Sequence, residues 1–271
     1  MADWFSGDVH ANGIKIHYYR TGGDKPPVVL SHGATDDGLC WSRLARALES
    51  AYDVIMPDAR GHGLSDAPEG GYNNSVRADD LAAFIQALHL EKPAVGGHSM
   101  GAGTTFYMVA NYPELARCAI LEDPGFRPES TPPTDAEREA RSAQMRKSME
   151  ARRSMSREAI MAEGRAQNPT WSEEEFGAWA NAKLRVSPHF AGAFRGPERP
   201  TWTELLPKIT CPTLLITADP EKGAIVTPET AQEAARLQPL IQVVRISGAG
   251  HNIRREQFEP FLQAVRTFLA S

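Results

Sequence analysis

Cysteine is scarce: Cys40, Cys118 and Cys211 are the only three in 271 residues. An odd, scattered set has neither disulfide nor metal-ligand spacing, so we expect small buried thiols in a reducing, cytoplasmic setting. No apolar stretch approaches the roughly 18 residues of a membrane span. The start, Met1-Ala2-Asp3-Trp4-Phe5, has no basic or apolar leader character, so we expect neither a membrane anchor nor a secretion signal. Positive charge is in deficit as well. With 29 Lys and Arg against 34 Asp and Glu, the formal net charge of −5 leaves no basic footprint for nucleic acid. Repeats and low-complexity tracts are missing. What remains is 41% hydrophobic and 23% charged, in a length that suits one large domain or a core domain carrying an insertion.

The apolar pattern alternates between two periods. Strand-like runs fall at Trp4 to His10, Ile14 to Arg20, Pro27 to Leu30, Asp53 to Met56, Ala94 to Gly97, Cys118 to Leu121, Thr213 to Thr217 and Gln242 to Ile246. Helical spacing falls between them at Trp41 to Leu48, around Leu81 to Leu88, at Met100 to Asn111, at Pro228 to Leu237 and at Arg255 to Leu269. Repeated β-α units predict a parallel sheet with helices on both faces and ligand chemistry at the carboxyl ends of its strands. From Gly125 the rhythm breaks. Prolines cluster at Pro124, Pro128, Pro132 and Pro133, and mixed-charge helical sequence runs from about Asp135 to Glu163. Aromatic residues follow, including Trp171, Trp179 and Phe190. This predicts a helical insertion, residues 125–207, lying as a lid over a core of residues 1–124 and 208–271.

Chemistry concentrates in three places. Gly97-His98-Ser99-Met100-Gly101 is a G-x-S-x-G sequence lying directly between a predicted strand and a predicted helix. Turning so sharply strains Ser99 and lifts its hydroxyl above the sheet edge, where the N-terminus of the next helix favours a developing oxyanion. A tetrahedral intermediate needs two N–H donors, and the backbone of Met100 and of Ala34, after Ser31-His32-Gly33, are the candidates. The His32 ring reads best as a buried histidine bonded to loop backbone; His32 and Gly33 are also weighed as substrate contacts. Gly248-Ala249-Gly250-His251-Asn252 places His251 in a tight loop before the last helix, where a general base would approach the serine.

These elements, with the D-x-R-G-x-G-x-S stretch from Asp58 to Ser65, resemble the α/β-hydrolase superfamily over essentially the whole chain. The resemblance implies an eight-stranded, mostly parallel sheet, a Ser-acid-His triad and no metal or cofactor. It also implies that the Asp58 to Ser65 stretch is architectural. Two carboxylates compete for the acid. Asp219 follows the strand Thr213 to Thr217, the commonest location in that superfamily, but its Ala218-Asp219-Pro220-Glu221 context departs from the usual pattern and brings Glu221 into contention. Asp123 follows the strand after the elbow helix, with Glu122 beside it. That resembles zearalenone lactonases and several haloalkane dehalogenases, as does Gly223-Ala224-Ile225-Val226-Thr227-Pro228 in the lactonase case. Asp123 is preferred and Asp219 stays open.

The expectation is therefore a serine hydrolase of carboxylic esters or lactones, N-acyl homoserine lactones being the narrower form. Lid residues such as Met145, Met149, Trp171 and Trp179 could line an acyl pocket; helical spacing of this kind is more often packing of lid on core, but so apolar a lid suits a small ester or lactone with an apolar acyl part. A C–C hydrolase, a cofactor-free haloperoxidase-like enzyme and a hydrolase-like ligand receptor are the alternatives. Haloalkane dehalogenase and epoxide hydrolase chemistry is disfavoured because those enzymes use an aspartate where this chain has Ser99.

Overall fold

The computed structural model describes residues 4–127, 134–194 and 200–271, so Pro128, Pro132 and Pro133 lie outside the described residues. Strands β1 (Phe5–Ala11) and β2 (Ile14–Arg20) form a hairpin whose two turn residues, Asn12 and Gly13, both take positive φ, as a tight two-residue turn demands. Three β-α steps and a further strand follow in chain order: β3 (Pro27–Ser31), α1 (Ser42–Leu48), β4 (Asp53–Pro57), α2 (Asn74–Ala87), β5 (Ala94–His98), α3 (Met100–Asn111) and β6 (Cys118–Glu122). Then come three consecutive helices, α4 (Asp135–Arg153), α5 (Arg157–Gln167) and α6 (Glu173–Arg185), and the short α7 (Trp202–Leu205). The alternation resumes with β7 (Thr213–Thr217), α8 (Pro228–Leu237), β8 (Ile241–Arg245), α9 (Ile253–Glu256) and α10 (Phe258–Ala270).

All eight strands join one sheet in the order β1-β2-β4-β3-β5-β6-β7-β8. β2 runs antiparallel to β1 and β4, and every other pairing is parallel. The central strands are short apolar runs because both faces are covered. Val29, Ile55, Val95 and Leu121 point to one face, where α2, α3 and α8 pack through Phe84, Phe106 and Ala234. Val28, Leu30, Val54 and Ile120 point to the other, against Leu44 and Leu48 of α1 and Phe261 and Val265 of α10. Each such fully buried side chain contributes about 2 kcal/mol of hydrophobic burial. Among the described residues, no helix is long and apolar enough to cross a membrane.

The mixed-charge run from Asp135 forms two helices, α4 and α5. Thr134 and Glu137 form a capping box at the start of α4, and Ser156 caps α5 by accepting the Ala159 N–H at 3.1 Å. That serine supplies the local competitor that ends α4 near Arg153. The segment packs on the core through Met149, Phe190 and Val186, which cluster with Tyr72, and carries a small core of its own, Ile160 with Trp171, Phe176 and Trp179. It is tied to the rest of the chain where the Ser187 N–H donates to the Gly61 carbonyl at 2.8 Å.

Candidate active site

Four chain segments leave the carboxyl ends of β3, β5, β6 and β8 and meet. Ser99 sits between β5 and α3 with φ 52° and ψ −112°, a strained conformation for a residue with a side chain. The flanking glycines make that turn possible. A Cβ on Gly97 would lie 2.3 Å from the Gly101 carbonyl group, and one on Gly101 would lie 2.0 Å from the Ser31 carbonyl oxygen. The helix thus packs backbone to backbone against the end of β3.

The sheet register pairs His98 with Glu122, so Ser99 and Asp123 follow equivalent positions on neighbouring strands. Asp123 is fully buried, also takes a left-handed φ of 42°, and lies 2.6 Å from Nδ1 of His251. Its carboxylate accepts the Ile225 N–H at 2.8 Å and the Val226 N–H at 3.0 Å. The Gly223 to Pro228 stretch therefore cradles this acid. Asp219 is engaged elsewhere. It accepts the Gly248 N–H at 2.7 Å and Arg245 Nη2 at 2.9 Å, and these two contacts hold its carboxyl below the usual range. Asp219 thus anchors the start of the loop that carries His251 without touching the imidazole. Glu221 is exposed on a short turn. Glu122 is buried against Arg254 at 3.1 Å, and burial pushes its carboxyl up despite that pairing.

The loop after β3 is fixed by buried histidines. His32 Nδ1 donates to the Gly33 carbonyl at 2.8 Å and Nε2 accepts the Ala59 N–H at 3.0 Å, so no ring nitrogen is left for a ligand. Burial pulls its pKa down and keeps it neutral. As a substrate contact the His32 ring is thereby excluded. Gly33 is required for space, since a Cβ there would lie 2.6 Å from Nδ1 of His98. His62 accepts the Thr35 N–H at 3.3 Å and donates to the Arg60 carbonyl at 2.9 Å, which gives the Asp58 to Ser65 stretch its architectural part. Sequence reasoning passed over His98. Its Nε2–H donates to the His251 carbonyl at 2.9 Å, linking the elbow to the histidine loop, and burial drives its pKa well down.

Ser99, His251 and Ala34 line one cavity of about 380 Å³. Trp179, Trp171 and Met145 contribute apolar wall, but Arg152, Lys183, Arg255, Gln167, Asn168 and Asn252 line it too. This is not the predominantly apolar acyl pocket expected from the lid's aromatics and methionines. Many of those, including Met149, Phe176 and Phe190, are spent on internal packing. The cations were hidden because a one-dimensional charge pattern reads like a solvated helix face. In the same wall Asp36 meets Lys183 at 3.1 Å and Arg255 at 3.0 Å. Burial pushes the Asp36 carboxyl up, but Arg255, Lys183 and Arg254 outweigh it and hold it well below the carboxylate range.

Its neighbour Asp37 behaves in the opposite way. Burial, then the negative charge of Asp58 and Asp36, push it up to about 7, and Arg185 at 3.8 Å offsets this only in part. Because the folded state keeps a proton that the unfolded chain has released, Asp37 costs stability as pH rises from about 4 to 7. Asp37→Asn should therefore be more stable than wild type, by about 2 kcal/mol more at pH 8 than at pH 5, with a correspondingly larger gap in melting temperature. Thermal scans at both pH values check this; an equal gap would contradict it.

Residues 28–264 match the model of the alpha/beta hydrolase family. The chain is 30% identical over 266 residues to N-formylmaleamate deformylase of Pseudomonas putida KT2440, covering 97% of this chain and 96% of that protein. It is 28% identical over 257 residues to 2-(acetamidomethylene)succinate hydrolase of Mesorhizobium japonicum, covering 92% and 90%. In three dimensions it superposes on a thermophilic esterase of Thermogutta terrifontis in its malate-bound form, with a TM-score of 0.76, 30% identity and 98% of each chain covered. Sheet order, the elbow between β5 and α3 and near full-length likeness agree, and the chain belongs to the alpha/beta hydrolase family.

Proposed function

We propose that this protein is a serine hydrolase that cleaves an acyl bond, ester, lactone or amide, in a small carboxylate-bearing substrate. The observation that carries the reading is the 2.6 Å contact of His251 with buried Asp123, in a cavity that Ser99 also lines. In the proposed reaction Ser99 Oγ attacks the carbonyl carbon while its proton passes to Nε2 of neutral His251. Asp123 holds the imidazole in the tautomer that leaves Nε2 free and stabilises the imidazolium that forms. The N–H groups of Met100 and Ala34 receive the oxyanion. His251 then gives its proton to the leaving alcohol or amine, and water activated by the same imidazole releases the acid. No step needs a metal or cofactor. In this reading residues 125–207 act as a lid over the core of 1–124 and 208–271.

The carboxylate preference rests on Arg152. Lys183 and Arg255 are committed to buried carboxylates, whereas Arg152, in the last turn of α4, is paired only loosely with Glu163 at 3.8 Å. Relatives named for maleamate and succinate, and an esterase with malate bound, favour the same class. Two esters of equal acyl length test it. Wild type should hydrolyse p-nitrophenyl hemisuccinate with a kcat/KM about tenfold above that of p-nitrophenyl butyrate, as one charge-assisted contact provides. Arg152→Gln should erase that advantage through KM and leave the butyrate unchanged. A wild-type preference for the neutral ester would refute the carboxylate assignment.

A further inference from the structure

The loop that carries Ala34 is not held by the core alone. Thr35, its neighbour, takes a left-handed φ of 61°, which is costly for a β-branched residue and persists only where surrounding contacts impose it. The largest single set of those contacts comes from α6. Lys183 Nζ donates to the Thr35 carbonyl at 2.9 Å, to Thr35 Oγ1 at 2.7 Å and to Asp36 Oδ1 at 3.1 Å. An ammonium has three N–H donors, and all three are engaged, so this cation has none left for a substrate even though it lines the cavity. Its Nζ lies over the Trp179 ring, 5.0 Å from the ring centroid.

We propose that Lys183 is a positioning residue that sets the direction of the Ala34 N–H, so that the oxyanion site is completed only when α6 is seated on the core. The proposal rests on the acyl-enzyme reading of Ser99. Losing the three contacts frees Thr35 to leave the left-handed region and releases Asp36, whose N–H donates to the Gly33 carbonyl at 3.1 Å; that carbonyl shares its peptide plane with the Ala34 N–H, which therefore turns with it. The ground-state substrate, bound by other groups, is barely affected. Lys183 thus acts on kcat and not on KM.

The test uses the whole protein, p-nitrophenyl hemisuccinate as substrate and an aryl trifluoromethyl ketone as probe. The serine oxygen adds to the ketone carbon, the carbonyl π pair becomes the oxyanion, and the serine proton passes to His251. Lys183→Met should lower kcat and ketone affinity together by about 30-fold, roughly half the logarithmic effect of removing one oxyanion donor outright at the upper end of that range. KM should stay within about threefold. Thr35→Val, which removes one acceptor and leaves Asp36 paired, should lower both by about fivefold and serves if Lys183→Met does not fold. Unchanged kcat and ketone affinity in the folded Lys183→Met protein, or in Thr35→Val if that protein does not fold, overturn the proposal. So does a change confined to KM. Ser99→Ala separates the two levels: if it binds the ketone as wild type does, the serine reading itself fails and this proposal with it. If it loses the ketone while Lys183→Met keeps it, only the role of Lys183 falls.

Discussion

Ser99→Ala should lower kcat on p-nitrophenyl hemisuccinate by at least about four orders of magnitude while leaving the melting temperature within a few degrees of wild type. The two parts of that expectation have separate physical causes. Ser99 is half-buried at a position whose backbone is held by neighbours: its N–H donates to the Glu122 carbonyl at 3.0 Å, and its carbonyl accepts the Gly103 N–H at 2.9 Å. Removing one hydroxyl leaves those bonds and the glycine packing intact. In the proposed reaction, however, the acyl-enzyme forms on Ser99 alone. The residual rate reports only the oxyanion donors and binding acting on water. His251→Ala should fall to a similar level, and the double variant should be little worse than either single one, because the two residues act as a unit. A retained rate in either single variant, measured with pure protein, would defeat the assignment.

Asp123→Asn and Asp219→Asn are expected to diverge sharply. Asparagine at 123 keeps the side-chain shape but offers His251 the wrong tautomer and no negative charge for the imidazolium, a change worth about 10⁴ in kcat. It also places an amide where two backbone N–H donors, of Ile225 and Val226, converge, so some loss of stability should accompany the loss of rate. Asp219 makes none of those contacts. Its substitution weakens the bonds to Arg245 and Gly248 that anchor the histidine loop. A fall in kcat of tenfold or less, with a lower melting temperature, is expected. Steady-state kinetics and thermal unfolding on the two variants decide the matter, and equal mild losses would mean that neither carboxylate serves.

The core was readable because its signals are local. Buried parallel strands show as short apolar runs, the elbow shows as two glycines around a serine, and Asn12-Gly13 marks its own hairpin. The acid could not be read to one residue because its identity depends on which strand neighbours β5. That is a long-range pairing, of which the Glu122-Asp123 strand ending and the Gly223 to Pro228 stretch carried only hints. The cavity's polar wall was hidden for a related reason. Arg152, Lys183 and Arg255 come from three helices far apart in the chain, and each looks like an ordinary surface charge until the helices pack. His98 and His62 were silent because a buried histidine that serves backbone geometry has no sequence pattern of its own.

Covalent labelling tests the central claim most directly. Diisopropyl fluorophosphate transfers its phosphoryl group to an activated serine oxygen with loss of fluoride, and peptide mass spectrometry locates the adduct. One adduct per chain is expected, on the peptide holding Ser99, formed much more slowly in His251→Ala and Asp123→Asn and within about tenfold of the wild-type rate in Asp219→Asn. An adduct on another residue, or labelling that persists unchanged in Ser99→Ala, would contradict the claim.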